Sequence, residues 1–279
     1  MGNAYQVKPS TVDLSLIHVR RWGEVGPRVV MVHGGVQGSA AGGEQAFAHQ
    51  KPLSDHNWQL IVPDRPGHGK SPNPGRPDDA QADGEWVAEL VAGGAHLVGH
   101  SFGGCVALNA AARRPDEVRS LTLIEPAMHQ LAVQTPQVRR FLFRLACALW
   151  LSFSPARRAT RAMDILGIPS QARRPSDTEE LKRLGRAMRR MRPAPKTILE
   201  RELTRVREAK IPLLVVSGGW SPAFEAMADV VAALGEGCRA VIPSTHHFPQ
   251  FDAQKFDPLL NGFLRKSEGS KHGSTGFPA

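Results

Sequence analysis

The sequence predicts an α/β fold built on a mostly parallel, doubly wound sheet. Short apolar runs rich in β-branched residues alternate along the chain with segments of helical character. Within each run, consecutive positions are apolar, as in strands whose two faces are both covered by helices. The runs are residues 28–35, 59–64, 95–101, 120–126, 212–219 and 238–244. Because strands and helices alternate in this order, the strands are expected to lie parallel to one another.

The segments around these runs supply the edge and the two faces of the predicted sheet. An alternating stretch at residues 12–22 precedes the first run and predicts edge strands or a hairpin. Helices that cover the sheet are predicted near residues 42–54, 79–92, 103–114, 222–234 and 255–266.

The alternation of strands and helices stops between residues 127 and 210. That stretch is helical in pattern, rich in arginine and interrupted by six prolines. An insertion between two strands, folded as a small helical cap, explains this change best. The sequence therefore predicts a core domain from residues 1–126 and 211–265, a helical cap from residues 127–210, and a disordered polar tail from residues 266–279.

The formal net charge of +9 is concentrated in the predicted cap. Residues 127–210 hold 19 Lys and Arg against 7 Asp and Glu, whereas the rest of the chain holds 16 basic and 19 acidic residues. This excess favours either an anionic substrate attracted by the cap or ordinary solvated arginine-rich helices. No nucleic-acid-binding motif accompanies the charge, so nucleic acid is not expected as a partner.

Several patterns bear on the cellular compartment. The first ten residues lack the apolar segment of a signal peptide, and the most apolar stretch, residues 141–153, is too short to cross a bilayer and contains Arg144. That stretch predicts a helix packed against the rest of the protein. The three cysteines are widely spaced, which suits a reducing compartment. We therefore expect a cytoplasmic protein with no membrane partner; the oligomeric state stays open.

The sequence GHSFGG at residues 99–104 matches the pattern G-x-S-x-G, with a predicted strand before Ser101 and a predicted helix after it. Glycines two positions before and two after the serine let the backbone turn sharply without clashes from Cβ atoms. Such a turn raises the serine hydroxyl above the sheet and aims the next amide N–H, that of Phe102, at the same space. Ser101 is therefore the candidate nucleophile.

Other loops at the same predicted edge of the sheet offer further groups. The turn VHGGVQG at residues 32–38 can aim the Gly35 N–H at an oxyanion, so Gly35 and Phe102 are the candidate oxyanion hole. Asp64 and His68 lie in the loop DRPGHGKSP, where structural roles are expected for both. A general base can reach Ser101 from the loop after the last strand, where His247 is our choice over its neighbour.

These motifs, in this order and spacing, resemble those of the α/β-hydrolase family across about residues 12–265. The resemblance implies an α/β-hydrolase fold with Ser101 as nucleophile, Gly35 and Phe102 as oxyanion hole, and a cap that covers the site and selects substrates. It also implies that His247 is the base, because this residue precedes Phe248-Pro249, while His246 falls where family members often have glycine.

The sequence departs from the family at the position of the catalytic acid. Family members often place an aspartate after the strand at residues 212–219, and here that position holds Ser221. Glu225 and Asp229 follow, but a helix would carry them away from the edge of the sheet. Glu125 ends the preceding strand, and a carboxylate there is similar to the arrangement in some relatives, including certain haloalkane dehalogenases and zearalenone-type lactonases. Glu125 is therefore the preferred acid.

The sequence leaves three functions open. The first is a serine hydrolase, free of cofactor and metal, that cleaves a carboxylic ester or lactone through an acyl-enzyme intermediate. The second is a hydrolase of C–C bonds in β-diketone-type compounds, which uses the same residues. The third is a non-catalytic receptor for a small molecule, because this fold also hosts such proteins.

Overall fold

A computed structural model describes residues 13–173 and 178–272 of the chain. Its centre is a seven-stranded sheet with the spatial order β1-β3-β2-β4-β5-β6-β7. All neighbouring strands are parallel except β1, which pairs antiparallel with β3. The strands are β1 (Val19–Trp22), β2 (Arg28–Val32), β3 (Gln59–Pro63), β4 (Ala95–His100), β5 (Val118–Ile124), β6 (Leu213–Ser217) and β7 (Cys238–Val241). The predicted mostly parallel, doubly wound sheet is thus confirmed.

The six apolar runs form strands because helices cover both faces of the sheet. All six residues of β4, at the centre, are buried, as are all five of β6. Five helices flank the sheet near the predicted positions. They are α1 (Gly43–Phe47), α2 (Ala80–Leu90), α3 (Phe102–Arg113), α8 (Pro222–Gly235) and α9 (Ala253–His272).

Two predictions about regular structure need correction. Of the described residues in the stretch 12–22, only Val19–Trp22 form a strand, the edge strand β1, and Leu14–Leu16 form a short 3₁₀ turn, so this part of the chain is not a hairpin; residue 12 lies outside the described residues. In the helix predicted at residues 42–54, only α1 is α-helical. The chain then continues to His56 in a 3₁₀ conformation that contains Pro52. Proline lacks the N–H that an α-helix needs and clashes with the preceding turn, which accounts for the change.

Helices connect β5 to β6, where the sequence predicts the cap. They are α4 (Pro136–Trp150), α5 (Pro155–Ile165), α6 (Thr178–Met188) and α7 (Lys196–Glu208). The buried side of α7 belongs to the same apolar cluster as α3. The division into core and cap at residues 127 and 210 stays a prediction, and this packing of α7 favours an earlier end of the cap.

The first part of the segment predicted as a disordered tail is helical. Helix α9 continues to His272, so residues 266–272 are helical, while residues 273–279 lie outside the described residues. Ser267 is buried. The Glu268 carboxylate binds the guanidinium of Arg119, a residue of β5, at 2.6 Å. The segment has the polar composition of a disordered tail, and its contacts with the core cannot be recognised from the sequence, which is why the sequence suggested disorder.

Candidate active site

Ser101 occupies a strained turn between β4 and α3. Its backbone angles are φ 56° and ψ −123°, a region that residues with a side chain rarely enter. The Ser101 N–H donates to the Ile124 carbonyl at 2.9 Å, which fixes the turn to β5. The flanking glycines are required: a Cβ atom on Gly99 would lie 2.5 Å from the Gly103 carbonyl oxygen. This is the geometry that the G-x-S-x-G spacing predicts.

His247 and Glu125 meet in the interior next to this turn. His247 follows β7, and its Nδ1 lies 3.0 Å from Oε2 of Glu125, which follows β5. Both side chains are almost fully buried. The other ring nitrogen of His247, Nε2, is buried and has no hydrogen-bond partner among the described residues. Ser101 and His247 line the same cavity, so the acceptor atom of the histidine is available to a group in that space.

Donors surround the Glu125 carboxylate. Its Oε1 accepts the backbone N–H of Gly218 at 2.6 Å, and its Oε2 accepts the indole N–H of Trp220 at 2.9 Å as well as the bond from His247. The carboxylate therefore accepts from Nδ1 of His247, which places the proton of the neutral imidazole on Nδ1 and leaves Nε2 as a proton acceptor.

The other candidate carboxylates lie elsewhere. Glu225 accepts from the Gly219 N–H at 2.8 Å and pairs with Arg239 at 2.6 Å, and Asp229 pairs with the same arginine at 3.0 Å. Ser221 is the residue that precedes α8. Of the three carboxylates that the sequence offers, the structure places Glu125 against His247.

Trp220 is a site residue that the sequence analysis missed. Besides its bond to Glu125, its indole lies edge-on to His247 with ring centroids 6.2 Å apart, and Phe224 packs 4.5 Å from the same imidazole. The sequence did contain a signal: Trp220, whose indole carries an N–H donor, directly precedes Ser221, the position where family members often have an aspartate. Only the fold shows that it turns toward β5.

The neighbouring histidine has a different environment. Nδ1 of His246 accepts the Phe248 N–H at 3.2 Å, and the backbone N–H of His246 donates to the Ser244 hydroxyl at 3.1 Å. Its side chain thus serves the local turn, whereas His247 faces the cavity and the carboxylate. The geometry agrees with the choice made within the His-His pair.

Gly35 and Phe102, which carry the two candidate oxyanion donors, line the same cavity as Ser101. Phe102 is the first residue of α3, and Gly35 has a φ of 91°, which glycine adopts readily. The loop that contains Gly34 and Gly35 packs closely against the nucleophile, because a Cβ atom on Gly34 would lie 2.6 Å from Cβ of Ser101. These contacts place both backbone segments at the serine.

His33 fixes the peptide group that carries the Gly35 N–H. Its Nε2 accepts the backbone N–H of Arg65 at 2.8 Å, so its Nδ1 carries the proton and donates to the Gly34 carbonyl at 2.7 Å. Burial lowers the pKa of His33 well below its usual value, and nearby His68 and Arg65 lower it further. The imidazole is therefore neutral, and its two hydrogen bonds shape this turn.

Arg65 contacts both residues that carry the candidate oxyanion donors. It is fully buried, and its Nη2 lies 3.2 Å from the Gly35 carbonyl oxygen and 3.5 Å from that of Gly34. Its guanidinium carbon lies 4.8 Å from the ring centroid of Phe102. Carboxylates neutralise this cation: Nη1 binds Asp78 at 3.0 Å and Asp83 at 2.9 Å.

Asp64 and His68, two further titratable residues of the loop that contains Arg65, have structural partners. Asp64 accepts the backbone N–H groups of Gly43 at 2.8 Å and Lys70 at 2.9 Å. The His68 ring contacts the Arg65 guanidinium at 3.1 Å. Structural roles for both agree with these contacts.

The cavity that holds Ser101 and His247 measures about 240 Å³ and is lined mainly by apolar side chains. They come from the sheet edge and from α4, α5 and α6, and include Phe141, Leu145, Leu149, Met163, Leu184 and Met188. The charged groups at its wall are engaged: Arg173 pairs with Asp164 at 2.7 Å, and Glu180 accepts the Ala40 N–H at 2.9 Å. Burial lowers the pKa of His129, a further lining residue, to about 4, so this imidazole is neutral at pH 7.

The described residues, 13–173 and 178–272, contain no group of three or more His, Cys, Asp or Glu side chains arranged to hold a metal ion. None of the helices in these ranges has the length and apolar character needed to cross a membrane.

Comparison with known proteins gives a consistent family. A sequence model described as "Alpha/beta hydrolase family" matches residues 29–258. The lipase LipV of Mycobacterium tuberculosis is 38% identical over 117 residues, which cover 40% of this chain and 42% of the lipase. A pimeloyl-[acyl-carrier protein] methyl ester esterase of Chromobacterium violaceum is 33% identical over 153 residues, covering 52% and 56% of the two chains. A 2-hydroxy-6-oxo-6-phenylhexa-2,4-dienoate hydrolase of Comamonas testosteroni is 36% identical over 126 residues, or 43% of each chain. The chain thus matches about half the length of these relatives.

Solved structures share the fold. A membrane phospholipase A superposes with a TM-score of 0.66 at 21% identity, covering 91% of this chain and 88% of the other. An N-acyl homoserine lactonase in complex with N-butanoyl homoserine superposes with a TM-score of 0.62 at 23% identity, covering 94% and 95%. At these identities the likeness extends to the fold alone.

Proposed function

Since this chain belongs to the α/β-hydrolase family, we propose that it is a serine hydrolase that cleaves a carboxylic ester or lactone through an acyl-enzyme. The observation that carries the proposal is the buried Glu125–His247 pair, whose imidazole leaves Nε2 without a partner among the described residues and lines the same cavity as Ser101. A serine becomes nucleophilic when an adjacent base takes its proton, and the base needs an acid to hold its tautomer.

In the proposed reaction, Oγ of Ser101 attacks the carbonyl carbon while Nε2 of His247 takes the hydroxyl proton. The carbonyl π-electrons move to the oxygen, and the N–H groups of Gly35 and Phe102 stabilise that oxyanion. The imidazolium is stabilised by Glu125. It then gives its proton to the departing alcohol oxygen, which leaves the acyl group on Ser101. Water, deprotonated by His247, attacks this ester, and the serine leaves with the proton.

The shape and polarity of the cavity favour an uncharged, apolar acyl group. Its wall is mainly apolar, and the charged groups Arg173 and Glu180 already have protein partners. An anionic substrate, one interpretation of the basic cap, would leave its charge facing apolar side chains, which is costly. The exposed arginines between residues 139 and 161 do not line this cavity.

A panel of p-nitrophenyl esters of graded acyl length, with lactones and a β-diketone, tests the substrate class. We expect kcat/KM to rise with acyl length until the cavity is filled. Leu145→Trp, which narrows the cavity, should move the optimum to shorter chains. Ala146→Trp, on the exposed side of the same helix, is the matched control and should leave the optimum in place.

Cleavage of the β-diketone without cleavage of any ester or lactone would reject this proposal in favour of C–C hydrolysis, the reaction class that the name of the Comamonas testosteroni relative suggests. Binding of these compounds without turnover would favour the receptor.

The oxyanion hole is proposed to depend on Arg65 for its position. Peptide groups are planar, so a partner that holds the Gly34 carbonyl also orients the Gly35 N–H on the same peptide. Arg65→Lys keeps the charge between Asp78 and Asp83 but loses the planar array of donors that reaches both carbonyls. We expect kcat to fall by up to about 10²-fold with a smaller change in KM, because a misplaced donor weakens transition-state binding.

Arg76→Lys is the control, because Arg76 pairs with the same Asp83 at 2.6 Å but does not bind the Gly34 or Gly35 carbonyl. Affinity for a trifluoromethyl ketone, whose adduct carries an oxyanion, should fall in parallel with kcat in Arg65→Lys only. A folded Arg65→Lys protein with unchanged kcat would reject the positioning role.

A further inference from the structure

The outer surface of α4 and the turn after it expose an unusual amount of apolar surface. Among the described residues, seven large hydrophobic side chains are exposed, and four of them lie within residues 143–153. Phe143 is 70% exposed, Trp150 61%, Leu151 67% and Phe153 98%. Phe143 and Trp150 are seven residues apart and therefore share one face of the helix. The sequence-based expectation that residues 141–153 pack against the protein holds for only part of this stretch.

The same surface carries unbalanced positive charge. Residues 127–163 contain no Asp or Glu and six arginines. Five of these arginines are exposed, and within the part of the chain that the structure describes their side chains form no hydrogen bond or ion pair. They are Arg139, Arg140, Arg144, Arg157 and Arg161. Three partly exposed arginines of the core have partners: Arg114, Arg119 and Arg239 each pair with a glutamate.

The exposed turn is held in place by hydrogen bonds. Arg158 is buried and donates to the carbonyls of Leu149 at 2.7 Å, Ser152 at 3.5 Å and Gly185 at 3.1 Å. These bonds join the end of α4 to α5 and α6 and satisfy carbonyls that a helix end leaves unpaired. Phe153 therefore projects into solvent from an anchored turn, so its exposure belongs to the folded structure.

We propose that the outer cap face, which comprises residues 139–153 with Arg157 and Arg161, binds the surface of an anionic phospholipid membrane. Aromatic and leucine side chains insert between headgroups while neighbouring arginines bind lipid phosphates, and this combination defines interfacial helices. Trp150 suits the boundary between apolar and polar layers, and the Arg189 guanidinium lies 4.2 Å from its ring centroid.

Two features of this face favour a lipid surface over an acidic protein as the occupant. The first is that four large apolar side chains project from one short segment. The second is that arginines surround these side chains while residues 127–163 contain no carboxylate. The inner face of α4 lines the cavity through Leu145 and Leu149, so the helix separates the cavity from the proposed lipid contact. This inference stands independently of the proposed hydrolysis, and it departs from the sequence-based expectation of no membrane partner.

Vesicle sedimentation with the full chain tests the proposal. At low salt, the wild type should sediment with vesicles of phosphatidylglycerol and phosphatidylcholine and stay in the supernatant with pure phosphatidylcholine. Binding should weaken as salt is added, because salt screens the arginines. The double variant Leu151→Ser, Phe153→Ser should lose about tenfold or more in vesicle affinity, since two exposed apolar side chains no longer insert. Arg140→Glu with Arg144→Glu should lose at least as much.

Matched controls are Val25→Ser, an exposed apolar residue of the core, and Lys51→Glu, an exposed core cation. Both should bind like the wild type. Absence of binding to anionic vesicles, or binding that the cap variants leave unchanged, overturns the proposal. So does the result in which vesicles are not bound but an acidic acyl-carrier protein is, with loss in the same variants. Turnover of a soluble short ester should be unchanged throughout, so a failure of the hydrolase proposal would be visible separately.

Discussion

Replacement of Ser101 by alanine is expected to lower ester turnover by several orders of magnitude, on the order of 10⁵ to 10⁶ in kcat. The variant loses the atom that attacks the carbonyl, while its backbone turn remains fixed by the bond from its N–H to the Ile124 carbonyl. The residual rate would come from the oxyanion donors and substrate binding. Steady-state kinetics on p-nitrophenyl esters measures the loss, and a thermal melt shows that the variant is folded.

Ser39→Ala is the matched control, because Ser39 also lines the cavity and has no place in the mechanism. His247→Ala should be about as damaging as Ser101→Ala, since the two residues act as one unit. His246→Ala should cost much less, because its ring holds the local turn. Turnover of the Ser101→Ala protein at the wild-type rate would end the serine-hydrolase proposal, and a larger loss in His246→Ala than in His247→Ala would reassign the base.

Glu125→Gln is expected to lower kcat by about 10³ to 10⁴. The amide is uncharged and cannot stabilise the imidazolium, and its NH₂ group can donate to Nδ1 of His247. That donation reverses the tautomer, so that Nε2 carries the proton and no longer accepts one from the serine. The variant nearly preserves side-chain volume, which separates loss of the acid from loss of packing.

Glu225→Gln and Asp229→Asn are the controls and should change kcat little, because both carboxylates pair with Arg239 away from the cavity. A fully active Glu125→Gln protein would show that the acid lies elsewhere. Ser221→Asp in the Glu125→Gln background asks whether the usual family position still faces the histidine, and partial recovery of kcat would show that it does.

The strained turn at Ser101 was predictable because part of its signal is local. A Cβ atom on Gly99 would meet the Gly103 carbonyl oxygen within the same turn, so the spacing of the glycines reveals the turn. Glu125 could be proposed as the acid because a carboxylate stands at a strand end, and the ends of parallel strands share one edge of the sheet. The pairing of Glu125 with His247 joins residues 122 positions apart, and the fold supplies it.

The features that could not be predicted depend on contacts between residues far apart in the sequence, which no short segment of the sequence indicates. Trp220 reaches Glu125 across 95 positions, and nothing in its own segment indicates which carboxylate its indole meets. Arg65 reaches the Gly35 carbonyl across 30 positions, through a loop whose glycines and prolines suggest only turns. The helical end of α9 was missed for the same reason, since Glu268 meets Arg119 from β5 across 149 positions.

Titration with a fluorophosphonate followed by peptide mapping tests directly whether Ser101 is the nucleophile. We expect one label per chain to abolish ester turnover, the label to lie on Ser101, and Glu125→Gln to slow labelling while Glu225→Gln does not. Label on a different residue, or full turnover in protein whose Ser101 is completely modified, would contradict this role of Ser101.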